Sequence, residues 1–134
     1  MDMLKGAKYM SGLDLQSGYY QIQLAEEDRP KTAFRTPFGH YQWRVLAQGL
    51  CNSPATFQNA MNDMLRGSGM LGKTVLAYLD DLICWSKTEE EHKIILRNTF
   101  QLLRENTYFF KIIQVQILPN RNEILGFHYW GRWY

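Results

Sequence analysis

The sequence predicts an α+β fold, an antiparallel sheet with two helices packed on one of its faces. Three observations carry that expectation. Two stretches, beginning at Ser53 and Thr88, combine helix start signals with apolar residues at helical spacing. Two others read as hairpins, apolar runs folded around Pro37–His40 and around Asp80–Asp81. The resulting order (strand, hairpin, helix, hairpin, helix, strands) suits segregated layers rather than regularly alternating βα units. With 134 residues, 46% of them hydrophobic and 14% aromatic, the chain is expected to be one domain over residues 1–134 with a core of its own.

Each element has a local cause. Tyr9–Leu15 reads as a strand with Met10, Leu13 and Leu15 as apolar members, ended by Gly18. Tyr20, Ile22 and Leu24 alternate with Gln21 and Gln23, which predicts another short extended piece. Glu26–Pro30 is a polar connection. Thr32, Phe34 and Thr36 share a face of one hairpin arm, and Tyr41, Trp43 and Val45 share a face of the other. Ser53 followed by Pro54 predicts an N-cap with proline at the first helical position. Phe57, Met61, Met64 and Leu65 then face the core, and Arg66–Gly67 ends the helix. Gly67-Ser68-Gly69 is flexible in composition and fits a natural loop or an engineered splice equally. Thr74–Tyr78 and Leu82–Trp85 form the second hairpin. Thr88 and Glu91 fit a capping box for a helix reaching about Asn106. Tyr108–Leu118 is extended, Pro119–Asn122 a turn, and Ile124–Trp130 a final strand.

Charge and cysteine usage say less. The balance of 15 Lys and Arg against 13 Asp and Glu, a net +2, neither requires nor excludes a nucleic-acid partner. Cys51 and Cys84 are far apart and read as reduced thiols, and His40, His92 and His128 have no zinc-site spacing. The chain opens on no secretory segment and contains no membrane-spanning run, so no membrane partner is expected and the expected home is cytoplasmic or nuclear.

The sharpest chemical feature is Tyr78-Leu79-Asp80-Asp81. Two adjacent carboxylates interrupt an apolar strand pair. Two unit charges about 4 Å apart repel by roughly 4 kcal/mol at an effective dielectric of about 20, so the pair needs a cation or water. Hard divalent ions accept carboxylate oxygens and suit phosphate chemistry. A solvated turn explains an isolated Asp-Asp pair as well. Asp14, between Leu13 and Leu15, is a third acid in apolar company, and a strand pairing that brought it beside Asp80 would favour the cation.

Three segments carry a resemblance. Ser11–Ile22 (SGLDLQSGYYQI), Gln48–Gln58 (QGLCNSPATFQ) and Tyr78–Asp81 (YLDD) are similar to the first three palm motifs of reverse transcriptases, most like gypsy-type LTR retrotransposons and also like retroviral enzymes. The resemblance runs from about Leu4 to Arg104 and more loosely through Gly126. It implies a polymerase palm with a ferredoxin-like core and an RNA-directed DNA polymerase that joins dNTPs to a primer 3′-hydroxyl on an RNA or DNA template. It implies catalytic, metal-holding roles for Asp14, Asp80 and Asp81 with two Mg²⁺ ions, or Mn²⁺ in their place. Ser17 and Gly18 match positions whose amides approach the triphosphate. Tyr19 matches the steric gate against a ribose 2′-hydroxyl. Gln48 and Gly49 match the nucleotide pocket, and Leu79 the primer end. Lys111 matches a general acid for pyrophosphate. Leu125 and Gly126 match the primer grip. Arg35 and Arg44 fall on the hairpin arms near Arg29 and Lys31, a position that suits contacts to template phosphates and equally suits solvated surface charges.

The likeness has gaps. Ala47 stands where a proline is common, Ile112–Asn122 departs from the family pattern, and Phe127–Tyr134 is unusually aromatic. Part of a fingers hairpin is expected at about 25–47, while the N-terminal fingers, thumb and RNase H are expected to be absent and to belong to a longer polyprotein. Weak or absent activity of the isolated chain follows. The competing expectation is a non-catalytic palm-like fragment, a domesticated relic or an engineered scaffold.

Overall fold

The structure, a computed structural model, describes residues 4–117. The strands are β1 (Tyr9–Leu15), β2 (Phe34–Thr36), β3 (Gly39–Tyr41), β4 (Val75–Tyr78), β5 (Asp81–Ser86) and β6 (Phe110–Ile117). The helices are α1 (Ser53–Gly67) and α2 (Glu89–Glu105). A four-stranded sheet runs β4-β5-β1-β6 with every neighbouring pair antiparallel, and β2 and β3 form a separate hairpin. This is the α+β arrangement the residue pattern predicts.

The period of two along the strands explains which face the helices cover. Leu13 and Leu15 of β1, Val75 and Ala77 of β4, and Leu82 and Cys84 of β5 are buried, and they join Phe57, Met61 and Leu65 of α1 and Leu103 of α2 in one core. The α1 residues recur at four-residue steps, a single helical stripe. The alternate strand residues, among them Gly12, Asp14 and Asp81, lie on the opposite face, away from that core. Among the described residues no helix is long and apolar enough to cross a membrane.

Several local expectations are corrected. Tyr20–Leu24 is not a plain extended piece: Gly18–Gln21 is a 3-10 turn, and Gln23 then bridges Val45. Glu26–Thr32 is likewise 3-10 rather than an irregular connection. Ser53 does not cap α1. Asn52 holds the cap position without a side-chain bond, and the buried Ser53 hydroxyl donates to the Ala47 carbonyl at 2.7 Å. With its hydroxyl held by Ala47, Ser53 joins the helix, and Pro54 falls at the second helical position, where its missing N–H still breaks no intrahelical bond. Gly67-Ser68-Gly69 is a built helix end: Ser68 N–H donates to the Met64 carbonyl, its hydroxyl donates to that of Leu65, and Gly69 takes φ +73°. At α2 the Thr88 hydroxyl accepts from Glu91 N–H at 3.3 Å, while the Glu91 carboxylate reaches the amide of Lys87 rather than that of Thr88. The expected turn at Pro119–Asn122 and strand at Ile124–Trp130 lie outside the described residues.

Candidate active site

Asp14 and Asp81 are direct cross-strand partners at the end of the β1–β5 pair. Directly opposed residues on adjacent antiparallel strands point to the same face. Both aspartates therefore occupy the face the helices leave uncovered. The next backbone bond, Leu15 N–H to the Asp80 carbonyl at 2.9 Å, ties Asp80 to the same strand end. Sequence-distant acids are thus gathered by strand pairing alone.

Asp80 is the most constrained of the three. Its Oδ1 is buried and has no hydrogen-bond partner among the described residues. A Cβ at Gly18 would lie 3.1 Å from that oxygen and 2.8 Å from Cζ of Phe57, so Gly18 occupies a space no larger residue fits without displacing something. Tyr19 packs its ring on Phe57 with centroids 5.1 Å apart. Burial, then the charges of Asp14 and Asp81, push the Asp80 carboxyl above the ordinary carboxylate range. Burial at the sheet end and the charge of Asp14 raise Asp81 in the same direction. The Tyr19 hydroxyl is raised first by burial and then by Asp80. A cluster that resists its own ionisation, with an unpartnered carboxylate oxygen, has the donor chemistry a hard divalent cation takes. As the side chains stand, no three His, Cys, Asp or Glu among the described residues close on a common point as an ion-holding group.

The turn that carries Asp80 is itself under strain. Tyr78 pairs with Asp81, leaving Leu79 and Asp80 as a two-residue hairpin loop. Such a loop wants positive φ at its first central position, usually supplied by glycine. Here it is Leu79, at φ +52°, where an L-side chain costs about 1–2 kcal/mol. Gln58 of α1 braces it. The Gln58 side-chain oxygen accepts from Leu79 N–H at 2.8 Å, and its Nε2 donates to the Ala77 carbonyl at 3.0 Å and to Asn62 Oδ1 at 3.1 Å. Gln21 makes a comparable brace beside Asp14. Its Nε2 donates to the carbonyls of Gln16 and Phe109, and its oxygen accepts from Phe109 N–H at 2.6 Å, closing the end of β1 onto the start of β6. Neither glutamine is singled out by its surroundings in the sequence. Gln58 only ends a motif and Gln21 only alternates with apolar residues, so side-chain-to-backbone partners far along the chain leave no local signal.

The remaining candidates are dispersed. Ser17, at φ +54°, opens the 3-10 turn that carries Gly18 and Tyr19. Gln48 and Gly49 are exposed on the connection into α1, with Gly49 at φ +94°. Arg35 lies on β2 opposite His40, on the hairpin rather than the main sheet. Arg29 and Lys31, two of its expected basic neighbours, are instead ion-paired locally with Glu26 and Asp28. Lys111 is the β6 register partner of Asp14, so its backbone borders the acids. Leu125 and Gly126 lie outside the described residues.

The reverse transcriptase (RNA-dependent DNA polymerase) family profile matches residues 1–129. The chain is 37% identical over 119 residues to a retrovirus-related Pol polyprotein from transposon 297 of Drosophila melanogaster, covering 89% of this chain and 11% of that protein. It is 31% identical over 126 residues to the enzymatic polyprotein of cauliflower mosaic virus (strain NY8153), covering 94% of this chain and 18% of that one. Among solved structures it superposes on a foamy viral protease-reverse transcriptase in complex with an RNA/DNA hybrid, with TM-score 0.72 and 31% identity, over 83% of this chain and 15% of that chain. The chain thus spans less than a fifth of the length of these relatives. Residues gathered at the β1–β5 strand end come from two of the three motif segments, and with the match running along nearly the whole sequence, the chain belongs to the reverse transcriptase family.

Proposed function

We propose that this chain is the nucleotidyl-transfer core of an RNA-directed DNA polymerase, acting on a template–primer with deoxynucleoside triphosphates as part of a longer polyprotein. The observation that carries the reading is the pairing of Asp14 with Asp81, with Asp80 tied to the same strand end by Leu15. Asp14, Asp80 and Asp81 would hold Mg²⁺, or Mn²⁺ in its place. Divalent ions bound there would supply neutralising charge to the triphosphate and a lowered pKa to the primer 3′-hydroxyl.

The chain's own residues would do the positioning on which phosphoryl transfer largely depends. The primer 3′-oxygen attacks the α-phosphorus and pyrophosphate leaves. Ser17 and Gly18 would present backbone amides to the triphosphate. Tyr19, held by Phe57, would occupy the space of a ribose 2′-hydroxyl. Gln48 and Gly49 would border the incoming nucleotide, and Lys111 would protonate the departing pyrophosphate. Leu79, Leu125 and Gly126 would contact the primer, and Arg35 the template backbone. Such a polyprotein would work in the cytoplasm or nucleus.

Primer extension on an RNA template by a polyprotein that carries this chain tests the reading. Extension should require Mg²⁺ or Mn²⁺ and fall on the order of a thousandfold or more in Asp80→Asn, a loss of several kcal/mol of transition-state charge stabilisation. Metal-dependent extension that survives Asp80→Asn at full rate removes the assignment.

A further inference from the structure

We propose that Gln58 is a positioning residue for the acidic pair, holding the Leu79–Asp80 turn in the one backbone geometry that keeps Asp80 beside Asp14. The inference rests on the metal-holding role proposed for the three aspartates, and it assigns work to a residue of the second motif segment that no role above uses.

Three features of Gln58 are mutually dependent. Its oxygen faces the Leu79 amide and its nitrogen faces the Ala77 carbonyl, so the end of β4 and the first residue of the loop are gripped by one planar amide. The second Nε2 hydrogen goes to Asn62 one helical turn on, which fixes the amide's orientation and leaves every group of the side chain satisfied. The gripped residue is the one at φ +52°, a conformation an L-residue keeps only where its surroundings impose it. Phe57, the preceding residue of α1, underlies Gly18 and Tyr19. Neighbouring positions on one helix therefore set both the floor of the site and its acidic turn.

If the brace is removed, Leu79 can relax toward negative φ. The peptide that follows it then rotates, and with it the direction of the Asp80 side chain. A group that orients metal-holding side chains without touching the ion typically changes affinity by about 10–100-fold when lost. A glycine at position 79 has no such preference for negative φ, so the brace should matter less there.

The test uses the full chain and two readouts. Gln58→Leu keeps volume and removes all three hydrogen bonds. By amide hydrogen exchange without metal, its Leu79 amide should lose protection on the order of tenfold or more, while amides in α2 stay as in the parent. By Mn²⁺ titration followed by electron paramagnetic resonance, its affinity should fall on the order of tenfold. The Mn²⁺ loss caused by Gln58→Leu should shrink in a Leu79→Gly background. An unchanged Leu79 amide, or equal Mn²⁺ affinity in parent and Gln58→Leu, overturns the proposal, as does an equal loss in both backgrounds. A parent chain that takes up no Mn²⁺ sinks the metal-holding role of the aspartates instead, and the Leu79 amide then decides by itself whether Gln58 holds the turn.

Discussion

Asp14 sits directly across the β1–β5 ladder from Asp81, on the face of the sheet that the helices leave open. The neighbouring pair, Leu13 and Leu82, points the other way into the core and is fully buried. Slipping this register by one residue would exchange acids for leucines on both faces at once. The burial of the leucines therefore enforces the meeting of the carboxylates, and the metal-free fold carries the resulting repulsion.

That repulsion gives a first prediction. Asp80 and Asp81 bind protons more tightly folded than unfolded. Their contribution to stability is fully present below the unfolded carboxylate value of 3.8 and is lost as pH rises through their higher folded values. Asp80→Asn should therefore stabilise the metal-free chain at pH 7, by up to about 1 kcal/mol once solvent screening is allowed for. It should also remove Mn²⁺-dependent stabilisation. Denaturant titrations in chelator at pH 7 and pH 5 check both parts. The variant's advantage should narrow at the lower pH, and a variant less stable than the parent at pH 7 contradicts the account.

His92 predicts the opposite slope. It is a buried residue in the first turn of α2, its Nε2 lies 2.7 Å from the Ser11 hydroxyl, and its Nδ1 has no partner among the described residues. Burial pulls its pKa below the ordinary 6.5. Its contribution to stability is complete above that unfolded value and lost as pH falls through the lower folded one. The parent should thus lose stability on acidification below about pH 6.5 relative to His92→Leu, as read from denaturation midpoints of the two chains. Parallel pH profiles would show that His92 titrates alike folded and unfolded.

The sheet, both helices and the acidic pair were legible because each leaves a local trace: alternation in Leu13-Asp14-Leu15, the helical stripe Phe57–Met61–Leu65, the capping pair Thr88 and Glu91. What pairs with what was not. Asp14 meets Asp81 through hydrogen bonds between strands 67 positions apart in sequence, and only the resemblance to known palms linked them beforehand. Tyr20 and Gln21 belong to the 3-10 turn Gly18–Gln21 instead of the extended piece that the alternation over Tyr20–Leu24 predicts, because successive residues there serve different neighbours: Tyr19 meets Phe57, Tyr20 stacks on Trp43, and Gln21 reaches Phe109. Tertiary contacts overrode a period of two.

Gly18 makes the third prediction. Its missing Cβ leaves room for Phe57 and Asp80, at 2.8 and 3.1 Å from where that atom would be. The ring edge belongs to a fully buried side chain and has little space to retreat into. Gly18→Ala should cost about 1–3 kcal/mol by overpacking and weaken Mn²⁺ binding by displacing Asp80. Gly67→Ala is the contrast: a Cβ there meets nothing within 4 Å, so stability should stay within about 0.5 kcal/mol or rise, alanine being the better helix former. Equal behaviour of the two variants in denaturation and Mn²⁺ titration would mean that the Gly18 contact relaxes without consequence.

Tyr19 supplies the last prediction. Its ring leans on Phe57 with centroids 5.1 Å apart and a 36° tilt, and its hydroxyl feels the charge of Asp80. Phe57 is fully buried, so the support is rigid, and truncating it to alanine should cost about 3–5 kcal/mol of stability. A ring fixed this way can exclude a 2′-hydroxyl by volume alone. On that ground Tyr19→Phe should keep the preference for deoxynucleotides over ribonucleotides, and Tyr19→Ala should lower it on the order of tenfold or more, about 1.4 kcal/mol of differential transition-state binding. The ratio of kcat/KM for matched deoxy- and ribonucleoside triphosphates in primer extension is the measurement. If preference instead falls in Tyr19→Phe as far as in Tyr19→Ala, the hydroxyl and its interaction with Asp80 set the selectivity, and the steric account of Tyr19 is wrong.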